Sequence, residues 1–339
     1  MIEKDVDIKE ITTFGLSCKV KELMRIKTEQ DLMLLSDRYK AKEKIYILGG
    51  GSNSVFCEEE YNGMVAKIEN KGMEKISEDE DNVIIEVSAG QVWKDFVVDC
   101  CEKGLSNIEN LAAIPGVVGA APVQNIGAYG QEAKDSIVAC EVFDMKTKTF
   151  YWISNKDCHF DYRYSIFKYQ EGNLVIWKVR FSLKKHFSVN TSYKALKDVI
   201  DKVEDKSKIT PSFVAKKVTE IRDSKLPDPK ILGNVGSFFK NPIISQDQYE
   251  QIKKYYPNIV SFPAKEGVKI SAGWLIEQCG YKGKRVGKVG MSEKQALVMV
   301  NYGEATGKEI TAFANAIIDS VKNMFNIQIQ IEAHLVSNH

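Results

Sequence analysis

The chain has 339 residues, 44% of them hydrophobic and 10% aromatic, with 47 basic against 46 acidic side chains for a net charge of +1. Such a length allows two or three domains with their own cores, and the near-neutral balance without a basic run excludes a nucleic-acid-tracking surface. Seven cysteines without a CxxC pair, four histidines (159, 186, 334, 339) without ligand spacing and a polar N-terminus exclude a disulfide framework, a metal site and a signal peptide. The expectation is a cytoplasmic, monomeric globule that acts on a small molecule, with no nucleic-acid or membrane partner.

In chain order, "KIYILGGGSNSVF" (44–56) reads as a buried strand, a glycine turn and a second short strand. "SEDEDN" (77–82) is an acidic turn, and "NVIIEVSAG" (82–90) alternates as a strand. "QVWKDFVVDCCEKG" (91–104) has helical spacing at Val92, Phe96, Val97 and Cys100, closed by Gly104. "IENLAAIPGVVGAAPVQNIGAYG" (108–130) follows, with no charge from Asn110 onward in a chain that is 27% charged. Pro115 and Pro122 with four glycines oppose a membrane helix. A buried core segment remains open, as does a backbone wrapped around a large flat ligand.

Strand patterns return in "SIVACEVFDM", "TFYWIS" and "NLVIWKVRFSL", without the regular strand–helix alternation of a doubly wound sheet. From about Lys206 the texture turns helical. A helix begins at Pro211 and ends before Pro227, "SQDQYEQIKKYYP" and "SAGWLIEQCG" supply two more, and the longest places Ile310, Phe313, Ile317 and Val321 on one face. "IQIQIEAHLV" closes the chain as a period-two strand. The fold class is therefore α+β.

Gly49, Gly50, Gly51, Ser52 and Asn53 present consecutive backbone N–H groups and two polar side chains, a nest suited to phosphate oxygens. The G-x-G-x-x-G frame fails at Ser54, and strand rather than helix follows, so a Rossmann site is not expected. "GEATGKE" (303–309) is one residue short of a P-loop. The glycine nest and the uncharged stretch together suit a flavin dinucleotide, while a GTP- or sugar-nucleotide-binding module fits the same composition. In "KLPDPKILGNVGSFFKNP" (225–242), Ser237 sits on a proline- and glycine-stiffened loop near Lys240 and Asn241. It caps a turn, donates a proton or orients an anionic substrate. Arg163 in "DYRYSIFK" stacks on aromatic neighbours, pairs with Asp161 or clamps a carboxylate. Glu332 falls on the polar face of the last strand.

Taken together and in order, "IENLAAIPGVVGAAPVQNIGAYG", "YRYSIFK", "KLPDPKILGNVGSFFKNP" and "SAGWLIEQCGYKG" resemble the UDP-N-acetylenolpyruvoylglucosamine reductase (MurB) family, type I subgroup. The resemblance runs from "ITTFGL" (11–16) to the C-terminus. It implies a bipartite FAD-binding region of the vanillyl-alcohol-oxidase kind, in subdomains 1–70 and 71–205, with strand 326–339 returning to the active site. Residues 206–325 would form a smaller α+β substrate domain. It further implies NADPH as reductant, FAD as cofactor and hydride delivery to the enolpyruvyl methylene carbon of a UDP-sugar in peptidoglycan synthesis.

By motif match Ser237 is then the proton donor, with Arg163 and Glu332 supporting the enolate-like intermediate. Gly49 to Asn53, Ile114, Pro115, Gly116, Gln124, Asn125, Gly127, Tyr129 and Arg222 match FAD contacts. Tyr193, Lys225, Asn241, Lys282 and Gln295 match substrate positions. Departures from the family pattern are Phe262 for a closing-loop tyrosine, Thr12 for asparagine, Tyr164 for aspartate and Ser292 for histidine, with Gln330 and His334 flanking Glu332.

Overall fold

The computed structural model describes residues 2–168 and 173–338; His339, one of the four histidines, lies outside them. The chain divides into two compact units. One comprises residues 1–5, 20–50 and 62–222; the other comprises 6–19, 51–61 and 223–339.

In the first unit a five-stranded antiparallel sheet runs in the order Thr149–Ser154, Ile137–Asp144, Leu174–Lys184, Asn82–Ser88, Met73–Glu78. Period-two alternation sorts its faces. Cys140, Val179 and Val87 align across three strands and are fully buried. Lys178, Arg180, Glu86 and Glu141 occupy the other face. There Lys178 and Arg180 lie 2.8 and 2.9 Å from Glu86, and Arg180 stacks 3.9 Å over the Trp152 ring. A second sheet has the order Ile2–Asp7, Lys19–Ile26, Glu60–Ile68, Ile45–Leu48, its last pair parallel.

Helix α1 (Glu29–Lys40) starts at a capping box between Thr28 and Asp31, which satisfies amides that the first turn leaves open. Helix α2 (Trp93–Glu102) buries Trp93, Phe96, Val97, Cys100 and Cys101. Val92, by contrast, is exposed as its N-cap rather than part of that face. Helices α3 (Lys194–Ile200) and α4 (Pro211–Lys225) follow, and α4 stops two residues before Pro227.

The uncharged stretch is irregular, with single 3-10 turns at Glu109–Leu111 and Val118–Ala120. Its backbone polar groups are paired instead with the strand–helix junction 89–93. Trp93 N–H donates to Gly116 O (3.1 Å), Val118 N–H to Gln91 O (2.9 Å) and Gly119 N–H to Ala89 O (2.8 Å). Such pairing lets non-helical backbone lie against a core. Among the described residues no helix is long and apolar enough to cross a membrane.

The second unit holds an antiparallel sheet in the order Gly233–Ser237, Val298–Asn301, Val289–Met291, Arg285–Val286. A smaller sheet joins Ile243–Ile244, Val268–Ile270 and Ser261–Pro263. Helices α5 (Gln246–Tyr255), α6 (Ala272–Gln278) and α7 (Gly307–Phe325) complete it. The anticipated face of α7 is buried: Ile310, Phe313, Ile317 and Val321, with Ala314 and Phe325. "GEATGKE" is the start of this helix. Thr306 Oγ1 accepts the Glu309 N–H and the Glu309 carboxylate accepts the Thr306 N–H, so both polar side chains serve the helix's own amides.

The C-terminal segment keeps its alternation, Ile327 and Ile329 buried and Gln328 and Gln330 exposed, but not the continuous strand expected for it. Its partner, residues 238–240, is a loop. Pairing is therefore reduced to one bridge, Phe239 with Ile331, before a short strand His334–Val336 runs parallel to Ser54–Phe56. All seven cysteines are thiols, five of them buried (18, 100, 101, 140, 158) and Cys57 and Cys279 partly so. Burial pushes Cys18 and Cys100 up to about 12.

Candidate active site

In the first unit Gly49 and Gly50 end the strand Ile45–Leu48 and run against the uncharged stretch. A Cβ on Gly50 would sit 2.7 Å from Gly116 Cα, so Gly50 tolerates no side chain where the two glycine backbones meet, and Gly116 has φ +118°. Ile114 packs on the core beside Gly116, and Pro115 is exposed. Ala113, Asn125 and Tyr129 all take left-handed backbone, at φ +58°, +45° and +49°. These reversals coil the loop tightly. It offers backbone and apolar surface, with Gln124 half-buried and Asn125 fully buried.

Asn125 locks the loop to the turn that carries Arg163. Its Nδ2 donates to Asp161 O and to the Glu132 carboxylate (both 3.1 Å), and its Oδ1 accepts the Lys134 N–H (3.0 Å). Ser165 Oγ adds a bond to Val123 O at 2.7 Å. Arg163, itself left-handed at φ +53°, donates from its guanidinium to Gly127 O at 3.1 Å and lies 5.4 Å over the Tyr162 ring. Arg163 is thus held beside the uncharged loop by stacking together with a carbonyl bond. Tyr193 meets Tyr129 edge-on, ring centroids 5.0 Å apart. Arg222 is half-buried near the end of α4.

Beneath these aromatics lie two groups that sequence reasoning missed. Asn110, fully buried, donates to Tyr129 O (2.8 Å) and Asn190 O (2.9 Å). Glu109, 2% exposed, accepts the N–H groups of Asn107 (2.7 Å) and Ile108 (3.0 Å), and burial raises its pKa above the ordinary carboxylate value. The available signal was their polarity at the edge of an otherwise apolar run.

In the second unit the rest of the glycine turn follows. Gly51 (φ +66°) leaves no room for a Cβ, which would lie 2.3 Å from Ile11 O, and Ser52 and Asn53 are half-buried. Asn53 is tied to the C-terminal segment: its Nδ2 donates to Glu332 O (3.3 Å) and its carbonyl accepts the His334 N–H (2.8 Å). Glu332 in turn donates its N–H to Phe238 O at 2.8 Å, one residue beyond Ser237. Ser237 is exposed, and Lys225, at the end of α4, is half-buried.

Three further candidates gather at α6. Asn241 Oδ1 accepts the Ala272 N–H (2.9 Å), Gln295 Oε1 lies against Gly273, and Lys282 pairs with Glu277 (2.9 Å). Of the departures, Phe262 is 37% exposed opposite Lys269, Tyr164 is 40% exposed, and Ser292 is buried with its hydroxyl accepting the Lys294 N–H.

Within the first unit, Gly49 and Gly50 packed against the coiled, uncharged loop offer backbone and apolar surface suited to a large flat ligand. Residues 23–151 match the FAD-binding domain family. The chain is an FAD-dependent oxidoreductase of α+β fold. Residues 228–336 match the C-terminal domain family of UDP-N-acetylenolpyruvoylglucosamine reductase. Proteins of that name from Neisseria gonorrhoeae and Flavobacterium johnsoniae are each 41% identical. The first match covers 96% of this chain and 95% of its relative, the second 99% of both. The crystal structure of the reductase from Thermus caldophilus shares the fold at TM-score 0.67 and 23% identity, over 99% of each chain. The chain belongs to the UDP-N-acetylenolpyruvoylglucosamine reductase family.

Proposed function

We propose that the chain reduces UDP-N-acetylglucosamine enolpyruvate to UDP-N-acetylmuramate, a peptidoglycan precursor, with NADPH as reductant. The observation that carries this reading is the pairing of the Ser237 loop with the C-terminal segment, Glu332 N–H to Phe238 O at 2.8 Å. It makes Ser237 and Glu332 near neighbours on one backbone framework. Gly49 to Asn53 and the 114–129 loop would hold FAD, which when bound would supply the hydride relay between NADPH and the enolpyruvyl carbon.

Hydride addition to the methylene carbon leaves negative charge shared between the adjacent carbon and the carboxylate. Arg163, already aligned by its bond to Gly127 O, stabilises that charge more in the transition state than in the ground state. Ser237 donates its hydroxyl proton to the same carbon. A weak acid serves in this role only where the carbanion is strongly basic and the hydroxyl comes within about 3 Å of it. Glu332 supports the same enolate-like intermediate from the C-terminal segment paired with the Ser237 loop. Tyr193, Lys225, Asn241, Lys282 and Gln295 bind the sugar nucleotide, and residues 206–325 act as the substrate domain.

The test is anaerobic mixing of the purified yellow protein with NADPH and then with the enolpyruvyl sugar nucleotide. The expected result is bleaching of the flavin band followed by its return. Bleaching without return removes the substrate assignment, and a colourless chain that takes up no FAD removes the reading altogether.

A further inference from the structure

Ser237 stands between two anchors of different kinds. On its C-terminal side Phe238 is fully buried, donates to Leu297 O (2.8 Å) and accepts from Glu332 N–H (2.8 Å). On its N-terminal side the ladder with Val298–Asn301 is interrupted between Asn234 and Ser237, and Gly236 is left-handed at φ +69°. The ladder resumes only at Ser237 itself, opposite Val298, so strand pairing does not set the two residues that lead into the serine. Asn234 does. It is 3% exposed, and its amide donates to Pro227 O (3.0 Å) and Leu232 O (2.9 Å) while Oδ1 accepts the Gly236 N–H (3.0 Å). Its own N–H reaches Thr13 O at 3.0 Å.

We propose that Asn234 is the positioning residue for Ser237, an inference that rests on Ser237 being the proton donor. One planar amide supplies two donors and an acceptor to three points of the 227–236 loop, a set that no other side chain of its size offers. The bond to Pro227 O also ties the segment just after Lys225 to the anchor that aims the serine. Because the network is buried and each of these bonds has a partner, removing the amide frees the loop at three points together.

The experiment compares N234A, N234D, S237A and N234A/S237A as FAD-loaded full chains, following flavin absorbance through each half-reaction separately. Asp keeps the acceptor for Gly236 and loses both donors. Bleaching by NADPH is expected to stay within about twofold of wild type, because it does not use Ser237. Return of the band on adding the enolpyruvyl sugar nucleotide is expected to slow by at least about 30-fold in both Asn234 variants, with a larger solvent deuterium isotope effect. The double variant is expected to be no slower than S237A alone, the mark of a residue acting through the serine. Wild-type return rates in N234A and N234D overturn the proposal, as does a double variant whose loss is the product of the two single losses. Should neither variant load FAD, amide exchange of the wild type decides: Gly236 N–H must be protected, and rapid exchange there overturns it. A wild type that bleaches and never returns refutes the substrate reading instead, so the two failures are distinct.

Discussion

At Glu109 burial and hydrogen bonding pull in opposite directions. Two backbone N–H groups favour the carboxylate, yet burial dominates and the folded pKa lies above the ordinary 4.5. The folded chain therefore holds a proton that the unfolded chain has released. Its contribution to stability is fully present below about pH 4.5 and is lost as pH rises through the raised folded value. Glu109→Gln removes the titration and keeps an acceptor for both amides. We expect the variant to be more stable than wild type at pH 8, the gap closing as pH falls to 4. Melting curves across that range check this; a gap independent of pH would remove burial of charge as its cause.

Between elements, the pairing of Tyr129 with Tyr193 depends on Asn110, whose amide bonds both the 129 carbonyl and the 190 carbonyl. Asn110→Ala cuts both ties at once and costs stability of about 2 kcal/mol. If Tyr193 covers the substrate, KM for the sugar nucleotide should rise at least tenfold with kcat within about threefold of wild type. Steady-state kinetics decide, and an unchanged KM would show that Tyr193 binds nothing. Elements with strong periodicity were legible from sequence, α7 above all, because its stripe is its packing face. The strand Met73–Glu78 gave no such signal: all six residues are exposed, and the ladder to Asn82–Ser88 alone defines it. The C-terminal alternation was read correctly as burial and wrongly as a continuous strand, because burial period and ladder pairing are separate properties. Among site residues, those in quoted motifs lay where glycine and proline mark the chain. Asn110 and Asn234 were silent because their partners are backbone groups, which every residue has.

Across the whole molecule, two hydrophobic cores form from interleaved segments, one in each unit. A thermal scan of the FAD-free chain is expected to show two transitions rather than one. FAD at a hundredfold excess over its Kd should add about 2.7 kcal/mol to whatever transition it binds, seen as a shift of several degrees. A single transition indifferent to FAD would contradict both the division and the flavin site. Length alone allowed two or three cores, but which segments share each core was not legible, since chain order does not say so.

The buried cysteines have a practical consequence. Cys100, Cys101, Cys140 and Cys158 all belong to the first unit, whereas buried Cys18 belongs to the second. A thiol buried in apolar surroundings and held protonated is inert to alkylation until its surroundings open. The chain thus carries a natural set of clocks, sorted by unit. Pulsed labelling read peptide by peptide would time the opening of each unit separately, without an introduced dye or tag.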